Sequence, residues 1–120
     1  APQVMAILED LRDLTGHQEW VFPSMRQRGE PMGKTTILAA LRALGITDEE
    51  MTPHGFRAMA RTLLDEVLGE RYDLIEMQLA HMVRDPNGRA YNRTVHLAER
   101  KRMMGRWADY LDKLRLAVSG

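Results

Sequence analysis

A histidine and an arginine three positions apart, His54 and Arg57, stand in PHGFRAMARTLL at what reads as the start of a helix. That spacing lets both side chains face one point, beside first-turn amides that lack helical partners. An oxyanion suits such a point. Arginine offers a planar fork of donors matched to phosphate, and histidine gives or takes a proton near neutral pH. The plainer reading of the pair is a capping histidine and a surface arginine. Further along, QLAHMVRDPNGRAYNRT places His81 at the end of a short apolar helix, followed by a Pro86-Asn87-Gly88 turn signal. Tyr91 comes ten positions after that histidine, between Arg89 and Arg93. A tyrosine there is open to three roles: core anchor, surface aromatic or nucleophile. As a nucleophile it needs nearby cations and a base, because an unperturbed phenol has a pKa of about 10.

Other chemistries fit less well. GEPMGKTT hints at a phosphate-binding loop, but such a loop needs four residues between its glycine and Gly-Lys-Thr, whereas three separate Gly29 from Gly33. No long buried strand precedes it, so Lys34 reads as an exposed residue near a helix start. His17, His54, His81 and His96 lack tight ligand spacing, and no carboxylate cluster stands beside them, so no metal site is expected. Without cysteine there is neither a disulfide framework nor a thiolate zinc site.

The elements that must carry these residues are helices. PQVMAILEDLRDLTG spaces Val4, Ile7, Leu8, Leu11 and Leu14 by threes and fours, and Gly16 closes the pattern. EWVFPS is too short for a helix and ends at Pro23, which leaves an extended piece at most. KTTILAALRALG predicts a second helix with a threonine cap and Gly45 as its stop. HGFRAMARTLLDEVLG predicts a third, closed by Gly69, and DLIEMQLAHM a short fourth, with Leu74, Ile75 and Leu79 as its apolar set. From Ala90 onward, Leu97, Met104, Trp107, Leu111 and Leu114 form a stripe that predicts one or two helices, with Gly105 as a weak point. The fold class is therefore mainly α, a single compact helical domain over residues 1–120 with at most a short vestigial strand.

Taken in order, HGFR, LAH and AYNR resemble the C-terminal half of the catalytic domain of tyrosine recombinases, the phage integrase family. WVFPS, PHGFRAMARTLL and RMMGRWADYLDKL are most similar to the branch encoded by satellite phages, prophages and genomic islands. The resemblance runs over nearly the whole chain, and the ordered set is far more specific than any one motif. It implies site-specific recombination of double-stranded DNA at attachment sites, through a 3′-phosphotyrosine and without a cofactor. It also implies roles: Tyr91 as nucleophile, Arg57 as the second of two arginines on the transition state, His54 as its proton-transfer partner, and His81 as a donor to a phosphate oxygen.

The family pattern also contains a first arginine, and a lysine on a hairpin, upstream of the WVFPS region; neither has a counterpart here. Arg12 lies within a helix of the wrong type and Lys34 follows the strand instead of preceding it. The expectation is a fragment of a longer integrase, inactive alone, whose missing DNA-binding domains explain a formal net charge of zero. In the intact protein the resemblance implies a synaptic tetramer, with the segment around Trp107, Tyr110, Leu111 and Leu114 either packing on its own core or docking on a neighbour.

The 120 residues are 44% hydrophobic, with no apolar run near the roughly 20 residues that cross a bilayer and no basic leader. A bacterial cytoplasmic location follows as the expectation, nucleoid-associated when on DNA. The competing reading is a noncatalytic helical module for binding DNA or protein, in which the same His, Arg and Tyr side chains point apart.

Overall fold

Helix-forming runs broken by glycine become five helices in the computed structural model, which describes residues 1–81 and 96–120: α1 Pro2–Thr15, α2 Thr36–Ala43, α3 Gly55–Glu66, α4 Tyr72–Gln78 and α5 Leu97–Ser119. The protein is mainly helical, and among the described residues it contains no strand. The extended piece expected around WVFPS is reduced to an isolated antiparallel bridge between Pro23 and Pro31. Among the described residues, no helix is long and apolar enough to cross a membrane.

Two compact units divide the chain, Pro2–Gly55 and Phe56–Gly120, the latter grouped with Ala1. In the first, α1 follows its predicted span, yet Val4, Ile7 and Leu14 on its apolar stripe remain exposed. The loop after it is tied by its own bonds. Thr15 Oγ1 donates to the Val21 carbonyl at 3.0 Å, Trp20 Nε1 donates to the Gly29 carbonyl at 2.9 Å, and Ser24 and Met32 amides bond across the bridge at 2.8 Å. The threonine expected to cap α2 is Thr35, but its side chain makes no capping bond. The stop does match: Gly45 has φ +82°, Ile46 N–H donates to Leu41 O, and Gly45 N–H donates to Arg42 O. Those two bonds are a Schellman ending, whose left-handed residue favours glycine.

In the second unit α3, α4 and α5 supply one core: Leu64 from α3, Leu74 and Ile75 from α4 with Leu79 just after it, and Met103 from α5. Burial of an apolar side chain such as Ile75 stabilises by roughly 1.5–3 kcal/mol. Trp107 packs against this cluster and stacks on Tyr110, ring centroids 6.0 Å apart and tilted by 33°. Leu97 before them and Leu111 and Leu114 beyond are exposed, so the core claims only the middle of the predicted stripe, Met104 and Trp107. Among the described residues of this stretch, one helix runs from Leu97 to Ser119, straight through Gly105.

Polar bonds also fasten α5, and Arg71 at the start of α4 donates to Glu99 Oε1 at 2.8 Å. Arg106 grips the buried Glu70 carboxylate with Nε at 2.6 Å and Nη2 at 2.5 Å, and Arg100 Nε donates to Gln78 Oε1 at 3.0 Å. Arginines of α5 thus hold the helix to its neighbours. At the other end, His96 Nδ1 meets the Glu99 carboxylate.

Candidate functional site

Arg57 and Arg61 lie one turn apart on α3, so both reach the same neighbour, α4. The Arg57 guanidinium donates through Nη2 to the carbonyl of Leu79, at the C-terminal cap of α4. Arg61 donates from Nε to Glu76 Oε1 at 2.5 Å and from Nη2 to the Tyr72 hydroxyl at 3.0 Å. Its guanidinium also stands 5.2 Å from the Tyr72 ring centroid, within cation–π range.

The end of α4 fixes His81. Ala80 adopts a left-handed φ of 57°, Ala80 N–H donates to Met77 O at 3.1 Å, and His81 N–H donates to Glu76 O at 2.9 Å. This too is a Schellman ending, with alanine in place of the usual glycine. The reversal swings the His81 ring back along the helix, so that Nδ1 lies 2.7 Å from Glu76 Oε2. Glu76 therefore holds His81 twice, by its main-chain carbonyl and by its carboxylate.

Glu76 is only 7% exposed. Burial alone pushes its carboxyl pKa up, but hydrogen bonds and charge from Arg61 and His81 outweigh it and hold the group below the usual carboxylate range. An ionised carboxylate only accepts hydrogen bonds, so the His81 Nδ1 proton faces Glu76 and Nε2 is the nitrogen left for another partner.

His54 is exposed in the connector before α3 and belongs to the Pro2–Gly55 unit. Arg42 shapes that connector, donating to the carbonyl of Ile46, to the Asp48 carboxylate, and to Met51 O at 3.4 Å. Thr47 donates to the Glu50 carboxylate from its amide at 2.8 Å and its hydroxyl at 2.9 Å, which lowers the Glu50 pKa. The capping role near α3 goes to Thr52, whose Oγ1 accepts from Gly55 N–H at 3.0 Å.

Of the four residues singled out in the sequence, Arg57 and His81 meet at one feature, the C-terminal turn of α4. His54 is set by a different part of the fold, and Tyr91 lies outside the described residues together with Arg89, Arg93 and the Pro-Asn-Gly turn. Arg61 and Glu76 were missed. The signal for Glu76 was an acid embedded in LIEMQL, where burial demands a paired cation. Among the described residues, no three His, Asp or Glu side chains are grouped to hold a metal ion.

No protein-family model matches the chain, and no solved structure matches it. Curated relatives do. A protein named integrase from Enterobacteria phage P4 is 43% identical over 112 residues, covering 92% of this chain and 26% of its own length. Prophage integrase IntA of Escherichia coli (strain K12) is 41% identical over 105 residues, 88% of this chain and 25% of the relative. Prophage integrase IntZ of the same strain is 35% identical over 118 residues, 98% of this chain and 28% of the relative. The chain spans about a quarter of the length of the relatives it matches. On these similarities it belongs to the family of phage and prophage integrases.

Proposed function

We propose that this chain is the C-terminal part of the catalytic domain of a longer integrase, acting in the bacterial cytoplasm on double-stranded attachment-site DNA. The observation that carries the reading is the Arg57 bond to the Leu79 carbonyl, which ties one family-matched residue to the turn bearing a second, His81. In this reading Tyr91 Oη attacks a DNA phosphorus, the bond to the 5′ oxygen breaks, and the tyrosine becomes 3′-phosphorylated. The phenolic proton passes to a base and a proton is delivered to the departing 5′ oxygen, with His54 assisting transfer. The freed 5′-hydroxyl of the partner strand then attacks the phosphotyrosine and restores the phosphodiester. Arg57 and His81 donate to the phosphoryl oxygens as charge builds on them. Each transesterification conserves one phosphoester bond, so no nucleotide is consumed.

A first arginine and a lysine would come from the rest of the intact protein, and four such subunits would assemble around two DNA sites. The test uses intact integrase and a nicked attachment-site duplex that traps the covalent complex. The wild type is expected to give a protein–DNA adduct, and Tyr91→Phe none, with DNA binding kept. An adduct of normal yield in Tyr91→Phe overturns the reading.

A further inference from the structure

Resting on the site proposed above, we infer that Glu76 is a positioning residue for the strand-exchange reaction: it orients the His81 ring and keeps a proton on its Nδ1, and Arg61 holds it in place. Three observations converge. Glu76 is a buried acid on a helix whose other buried residues are apolar. Its two carboxylate oxygens are divided, Oε1 to Arg61 Nε at 2.5 Å and Oε2 to His81 Nδ1 at 2.7 Å. Its own carbonyl accepts the His81 amide at 2.9 Å, so backbone and ring are fixed from one residue.

The chemistry follows from the donor inventory. Arg61 only donates and the Glu76 carboxylate only accepts, so Nδ1 of His81 must present its proton to Glu76. In the reading above Nε2 donates to a phosphoryl oxygen, so the acting ring carries both protons, with Glu76 on Nδ1, and the Nε2 bond is charge-assisted. The arrangement is a carboxylate orienting a histidine, with an arginine fixing the carboxylate in turn.

Glu76→Gln separates this role from simple packing. Its amide oxygen goes to Arg61, which can only donate, and its NH2 then faces Nδ1. Nδ1 becomes an acceptor and the ring proton moves to Nε2 of a neutral imidazole. The Nε2 bond loses its charge assistance, a difference that corresponds to about a tenfold lower rate of adduct formation. In intact integrase with nicked attachment-site DNA at saturation, Glu76→Gln is expected to slow adduct formation by about that factor without weakening DNA binding. In a His81→Asn background the same change should alter the rate by less than about twofold, because it has nothing left to act through. Equal slowing in both backgrounds, or no slowing in either, overturns the inference. A second measurement needs no variant: the nitrogen-15 shifts of the neutral His81 ring should report protonated Nδ1, and the Nε2–H tautomer overturns the inference. The two readings fail separately. An adduct in Tyr91→Phe removes the nucleophile assignment, whereas a normal rate in Glu76→Gln beside a slow His81→Asn removes only the role of Glu76.

Discussion

Ala80 is the residue on which the site's geometry turns. Its left-handed φ of 57° costs an L-residue roughly 1–2 kcal/mol, and glycine would avoid that cost while losing up to about 1 kcal/mol in chain entropy. Ala80→Gly should therefore stabilise the folded chain by up to about 1 kcal/mol in urea denaturation, while a β-branched Ala80→Val should destabilise it. A loss of stability in the glycine variant would show that the left-handed turn is not strained. The same turn explains why half of the site was hidden in the sequence. Glu76 and His81 are five apart, a spacing that meets on no regular helix, and they pair only because Ala80 reverses the chain. Arg57 and Leu79 are 22 residues apart and Arg61 and Glu76 15 apart, so those bonds belong to packing that no local pattern encodes. The histidine and arginine themselves were legible because their types and order are distinctive.

The helices were far more legible, since three-and-four apolar spacing and glycine stops are local signals. Gly45 fulfils its part through a left-handed φ, which is a backbone demand and not a correlation. Burial was less readable: α1 carries three-and-four apolar spacing and yet contains no buried residue. Gly105, expected as a weak point, does not break α5. A glycine inside a helix costs about 1 kcal/mol relative to alanine, but Met103 on the core, Trp107 packed against it and the Arg106 clamp on Glu70 keep α5 continuous across it. Among the described residues, a β-carbon built at Gly105 meets nothing within 4 Å. Gly105→Ala should then gain about 1 kcal/mol, read as a higher urea midpoint. A lower midpoint would mean that α5 needs its glycine.

Across the whole molecule, acid should act on the carboxylates that folding has paired. Burial raises and Arg71 lowers the pKa of Asp73, with the balance downward; the balance at Glu76 is likewise downward, through Arg61 and His81. Both groups start from ordinary values of 3.8 and 4.5, so on acidification the unfolded chain binds their protons before the folded one does. The stability they contribute is complete above those values and is lost as pH falls through them to the depressed folded values. Two tryptophans allow the loss to be located, Trp20 in the first unit and Trp107 against the core of the second. With Trp20 replaced by phenylalanine, Trp107 fluorescence alone reports the unit that holds both carboxylates. Its urea midpoint should drop between about pH 5.5 and 3.5, and drop less in Glu76→Gln, which has no carboxyl at that position to titrate. A midpoint flat over that range, or an equal drop in both proteins, would show that the Arg61–Glu76–His81 network contributes no pH-dependent stability.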